Sequence, residues 1–170
     1  MLDFLFRRLT GDPKRGSELF ESVTRIAREP RWYVEAEVPD SLDGRFAVLA
    51  TVTALVLVRL ESEGEEGNRI SVALTERFVE VMESEHRELG LGDPALGRTV
   101  RRLVGSLARR NELWRRVAAG EMEWKSAARD SLYKEAVSSE ALDRSATYLQ
   151  HVLAVLADRA VEDLARGKLQ

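Results

Sequence analysis

The sequence predicts an all-α fold, and three observations carry the prediction. Apolar residues recur with the 3.6-residue period of a helix in almost every segment. Gly, Pro and small polar residues cluster between those segments. Residues 46–58 form an uncharged run of thirteen directly after a helix-start signal. Together they predict a compact single-domain bundle of six or seven helices around a central apolar helix.

Taken in order, Leu2, Phe4, Leu5, Phe6 and Leu9 form a short apolar element over residues 1–13, stopped by Thr10-Gly-Asp-Pro13. The helical domain proper is expected over residues 14–170. Its first helix spans about 14–28, with Leu19, Phe20, Val23 and Ile26 on one face, and Pro30 ends it because the residue before proline avoids helical geometry. Trp32, Tyr33, Val34 and Val38 read as a short extended connector. After Pro39, either Asp40 or Ser41 can cap the free amides of the next helix, and Asp43 adds negative charge to its first turn. That helix, over 41–61, is apolar on nearly every face and therefore belongs at the centre of the domain.

Residues 64–68 read as a polar loop, followed by an amphipathic helix over 69–89 with Ile70, Leu74, Phe78, Val81 and Met82 inward. Gly90 suits the left-handed residue after a helix, Asp93 can cap the next one, and Pro94 occupies its first turn. Helices over 94–119, bent near Gly105 or Arg110, over 121–137 and over 139–166 complete the bundle. No internal repeat or low-complexity segment is present in the sequence.

Composition narrows the function. The chain of 170 residues is one domain by length and buries about 70 % of its unfolded surface. The absence of cysteine removes disulfides, thiolate metal sites and thiol nucleophiles, and suits a cytoplasmic setting. A balance of 26 basic against 29 acidic residues, net charge -3, gives no global attraction for DNA or an anionic membrane, so any such contact must be local. Residues 1–9 place the acid first and the basic pair after the apolar stretch, the reverse of a secretory signal. As a helix the uncharged run reaches only about 20 Å, against a hydrocarbon core of about 30 Å.

Candidate chemistry is sparse. Glu83 and His86 have the Glu-x-x-His spacing of di-iron bundles, but no second copy exists: Tyr148 stands three residues before His151, the other histidine. No serine sits in a Gly-x-Ser-x-Gly elbow, and Gly90-Leu-Gly-Asp-Pro lacks both the strand and the Gly-Lys-Ser/Thr of a phosphate loop. The expectation is a protein without catalytic residues, metal or cofactor. Seven arginines (Arg98, Arg101, Arg102, Arg109, Arg110, Arg115 and Arg116) face a single acid, Glu112, over 98–116. Such a stripe is either paired with the acidic helix before it or offered to RNA, an acidic partner or lipid headgroups. Trp114 and Trp124 lie near it, although tryptophans at helical spacing are generally core. Phe4, Leu5, Phe6, Arg7 and Arg8 either pack across the domain or lie in a membrane interface.

Trp32-Tyr33, Val38-Pro-Asp-Ser-Leu-Asp-Gly-Arg-Phe46 and the closing Val58-Arg-Leu60 resemble the ubiquinol-cytochrome c chaperone family, bacterial relatives of the mitochondrial assembly factor for cytochrome b. A second block, Met82-Glu-Ser-Glu-His-Arg-Glu-Leu-Gly-Leu-Gly-Asp93 followed by Leu96-Gly-Arg98, is similar to the family's helix end on Gly-x-Gly-Asp. Weaker similarity continues through Leu107-Ala-Arg-Arg110, Ala128-Arg-Asp130 and Tyr148. One departure stands out: Thr51-Val-Thr53 replaces a histidine expected near Val52.

The resemblance implies a non-catalytic helical chaperone that binds newly made cytochrome b, a membrane protein, during assembly of the bc1 complex (complex III). A small partner subunit and a ribosome contact are implied by the mitochondrial members. It places client or partner binding at Asp43, Gly44 and Arg45 and at Gly92, Asp93, Arg98, Arg101 and Arg102. The expected location is cytoplasmic, at most peripheral at the cytoplasmic face of the inner membrane. The alternative is a ribosome- or RNA-contacting adaptor that uses the arginine stripe.

Overall fold

The computed structural model describes residues 16–169, and every regular element among them is helical. They are α1 (Ser17–Ala27), α2 (Arg31–Val34), α3 (Leu42–Leu60), α4 (Gly64–Glu88), α5 (Asp93–Ala118), α6 (Trp124–Leu132), α7 (Ser139–Ala157) and α8 (Val161–Ala165). Six of these have nine residues or more, and α2 and α8 are single turns. The apolar element expected over 1–13 lies outside the described residues.

α3 is the central helix. It packs against α1, α4, α5, α6 and α7, and most of its side chains from Ala47 to Leu57 are buried. Its two polar side chains in that stretch are satisfied internally: Thr51 Oγ1 donates to Ala47 O and Thr53 Oγ1 to Leu49 O, both at 2.7 Å. Each hydroxyl thereby avoids the cost of an unpaired buried donor. Val52 is fully buried, so the position at which a histidine was expected is a core position filled here by packing.

The connector after α1 is a helical turn, contrary to the extended reading. Pro30 already has helical geometry, φ -56°, and starts α2, while Trp32 turns inward and is fully buried. Trp32 Nε1 donates to Ile26 O at 2.8 Å and Tyr33 Oη to Ala27 O at 2.7 Å, so the two aromatics satisfy carbonyls at the end of α1.

The loop expected at 64–68 is the first turn of α4. Reversal occurs earlier, in a 3-10 turn over Glu61–Glu63 and at Gly64, whose φ of +59° favours glycine. Glu65 and Glu66 then sit at the positive end of α4. Gly67 lies so close to α3 that a Cβ there would overlap Leu60 O. Gly90 does adopt the left-handed conformation expected of it, φ +86°. The N-cap of α5 is Gly92 and not Asp93, which lies inside the first turn. α5 runs as one uninterrupted helix through Gly105 and Arg110.

The last helix is also divided where a continuous one was expected. α7 ends at Ala157 and α8 begins at Val161, because Arg59 from the end of α3 reaches into the gap. Its Nε donates to Leu156 O at 3.1 Å and its Nη2 to Arg159 O at 3.0 Å, while Nη1 pairs with Glu63. One cation thus caps the C-terminal carbonyls of α7 and fixes the exit of the central helix. Arg59→Ala leaves those carbonyls without their charged donor and should destabilise the domain by about 2 kcal/mol, read as a lower urea midpoint with an unchanged m value.

Candidate functional site

The start of α3 is exposed at Ser41, Leu42, Asp43 and Arg45. Ser41 caps it, accepting the Gly44 N–H on its Oγ at 3.2 Å, and Asp40 pairs with Arg45 at 2.6 Å across the same turn. Asp43 points the other way and pairs with Lys134 at 2.6 Å, in the connector between α6 and α7. Gly44 is required sterically: a Cβ there would overlap Pro39 O. Each residue of Asp43-Gly-Arg45 therefore has a structural task at this turn.

Two grooves flank this helix start. The first, about 1140 Å³, lies between the C-terminal end of α1, α2, α3, the end of α4 and α5. Its floor includes Phe20, Phe46, Met82 and Leu103. Among the described residues the large exposed apolar side chains are Val34, Leu42, Leu89 and Val72, and the first three all line this groove. The second groove, about 1150 Å³, lies on the other side of the helix start, against α5 and residues 130–138. Asp43, Phe46, Arg102 and Leu103 belong to both, so the entry of α3 and the facing Arg102 form the ridge that separates them.

The second groove is backed by Arg110, which is buried and has no carboxylate partner among the described residues. Its Nε and Nη2 donate to Ser131 O at 3.1 and 2.6 Å, and Nη1 donates to Ser106 O at 3.2 Å and to Ser106 Oγ. Its guanidinium carbon also lies 5.8 Å from the centre of the Phe46 ring. Burial, with the nearby Arg109 charge, pushes its pKa down to about 10, so it remains a cation at neutral pH.

The structure separates the expected site residues into two groups. Asp43, Gly44, Arg45 and Arg102 meet at the two grooves. Gly92, Asp93, Arg98 and Arg101 lie outside both, at the α4–α5 turn and along the first turns of α5. The seven-arginine stripe is not one surface either. Arg110 turns inward, and Arg115 binds Glu61 through Nε at 2.9 Å and Nη2 at 2.7 Å and also holds Glu112. Those carboxylates raise the Arg115 pKa, and Arg115 in turn lowers that of Glu61. Trp114 is core, donating from Nε1 to Ser131 Oγ at 2.9 Å, and Trp124 packs on it with ring centres 5.5 Å apart.

Glu83 pairs with Arg87 at 3.1 Å, and His86 Nδ1 donates to Met82 O at 2.8 Å. Among the described residues no group of three or more His, Asp or Glu is arranged to hold a metal. Phe4, Leu5, Phe6, Arg7 and Arg8, the expected membrane-contact residues, lie outside the described residues. Sequence reasoning did not single out Val34, Leu42 or Leu89. Their signal was an apolar residue at a helix end, where a polar one would have served the turn equally well.

Residues 34–170 match the model of the family described as ubiquinol-cytochrome C chaperone. Among solved structures the chain is similar to the crystal structure of the Cbp3 homolog from Brucella abortus, with 24 % identity and a TM-score of 0.75 over 98 % of this chain and 94 % of that one. No curated protein matches the sequence.

Two predictions follow from the geometry of the α3 entry. Gly44→Ala must displace the Pro39 carbonyl or the helix start and should cost about 2–3 kcal/mol in a urea titration. The Arg45 and Lys134 hydrogen bonds hold the Asp40 and Asp43 carboxyls below their ordinary value of 3.8. The stability they lend is therefore complete above that value and is lost as pH falls through their lower folded-state values. Both pairs are exposed, so the effect is small, and Lys134→Gln should weaken the pH dependence of the melting temperature below pH 4.

Proposed function

Because the chain belongs to the ubiquinol-cytochrome C chaperone family, we propose that it holds newly made cytochrome b during assembly of the bc1 complex (complex III), as a chaperone with no catalytic step of its own. The observation that carries this reading is the first groove. An apolar floor whose rim exposes Val34, Leu42 and Leu89 is suited to the apolar segments of an unassembled membrane protein. The Asp40–Arg45 pair and Arg102 at the same rim supply fixed polar contacts, which select orientation where the apolar floor does not.

In this reading Asp43, Gly44 and Arg45 shape and border the client site. Gly92, Asp93, Arg98, Arg101 and Arg102 form the approach to it along α5. No helix among the described residues is long and apolar enough to cross a membrane. In this reading the protein meets its client from the cytoplasm, as a peripheral component at the inner membrane. Any small partner subunit or ribosome contact is recruited beside that site.

Co-purification of cytochrome b with the tagged protein tests the proposal. Leu42→Asp with Leu89→Asp adds charge at exposed positions and should abolish recovery of cytochrome b while changing the melting temperature little. Arg45→Ala should lower recovery several-fold at a stability cost below about 1 kcal/mol. Undiminished recovery in the double variant would remove the groove as the client site. No cytochrome b with the wild-type chain would remove the client.

A further inference from the structure

The outward face of α5 carries charge that neither the fold nor the grooves explain in full. Arg98, Arg102, Arg109 and Arg116 are separated by four, seven and seven residues, which at 100° per residue places them within about 40° of one another around the helix. All four are exposed, as are Gly105 and Glu112 on the same face. α5 is unbroken from Asp93 to Ala118, so the four form one row roughly 27 Å long.

Helical spacing would let Glu112 neutralise Arg109 or Arg116, at three and four residues' distance. It does neither, because Arg115 on the shoulder of the helix takes it. The Arg102 charge acts on Asp43, which Lys134 already holds. None of the four row arginines has an ion pair among the described residues. Between the charged heads the face is low at Gly105, which is exposed, with nothing within 4 Å of where its Cβ would be. Gly105 has no positive φ to require it, and a glycine inside a helix is disfavoured without a compensating reason.

We propose that this face is a membrane-docking surface that seats on anionic phospholipid headgroups. A row along one face of an uninterrupted helix can meet a plane with its charges together, and the bare Gly105 between them lets the helix approach closely. Single-stranded RNA fits the face less well, because it is held by stacking on exposed rings within a charged channel. The nearest ring on α5, Trp114, is buried in the core. Arg102, Gly105 and Arg109 also border the second groove, and Arg102 the first as well, so a chain seated this way would present both beside the bilayer surface. The inference deepens the peripheral-membrane part of the proposed function by naming the surface responsible.

Flotation of the full chain with phosphatidylcholine vesicles, with and without phosphatidylglycerol, tests it. Binding should require phosphatidylglycerol and fall as salt rises. Each juxtamembrane cation contributes about fivefold to partitioning, so R98Q/R102Q/R109Q/R116Q should weaken binding by roughly several hundred-fold. The same four changed to Lys should retain it, and R69Q/R87Q, which removes two exposed arginines paired elsewhere, should bind within a few-fold of wild type. Thermal melts establish that each variant is folded. Binding to pure phosphatidylcholine, binding unchanged in the four-fold Gln variant, or no binding at all would overturn the proposal. So would single-stranded RNA that binds through the same arginines and removes the protein from vesicles. Because no client is present, failure here leaves the cytochrome b reading standing, and success does not establish it.

Discussion

The whole architecture depends on enclosing a helix that has no polar face. α3 must be covered on every side along its middle, and α1, α4, α5, α6 and α7 do so. Such a helix can meet polar surroundings only at its ends, so the informative polar residues gather there. At the exit, Arg59 spans from α3 to the carbonyls that end α7. At the entry, Ser41, Gly44, Asp43 and Arg45 settle the first turn against Pro39, Lys134 and Asp40. The two grooves meet at this entry, which Asp43 and Phe46 share between them.

This arrangement separates residues that identify the family from residues that offer a surface. Gly44 is held by sterics, Arg110 by carbonyls of two helices, and Tyr148 by a hydrogen bond to Glu35 and an edge contact with Trp32 at 5.6 Å. Their physical tasks are internal. The exposed apolar rim is instead made by Val34, Leu42 and Leu89, each at or next to a helix end. Motif residues can therefore build the frame of a turn while its neighbours supply the exposed apolar surface.

The fold was largely legible because helical periodicity is a local signal. The 3.6-residue pattern located every long helix, and the uncharged run of residues 46–58 identified the central one. What the sequence hid was decided by contacts between distant residues. The break between α7 and α8 comes from Arg59, about a hundred residues earlier in the chain. The helical turn after Pro30 depends on Trp32 finding a buried place beneath α1. The loop expected at 64–68 became helix because Gly67 can lie against Leu60, an approach that composition does not reveal. The site was legible only in part. Asp43, Gly44 and Arg45 come to one turn with Arg102 facing them, a meeting that no motif foretold, and the arginine stripe mixes a buried residue, a paired one and a row without ion pairs among the described residues.

The central claim is that this domain serves cytochrome b before the bc1 complex is complete. Reduced-minus-oxidised spectra of membranes from a strain lacking the gene address it most directly. The account predicts a loss of cytochrome b, with cytochrome c1 falling as unassembled complex is removed, and recovery of both on restoring the wild-type chain. Membranes with normal levels of both cytochromes in the deletion strain would contradict it.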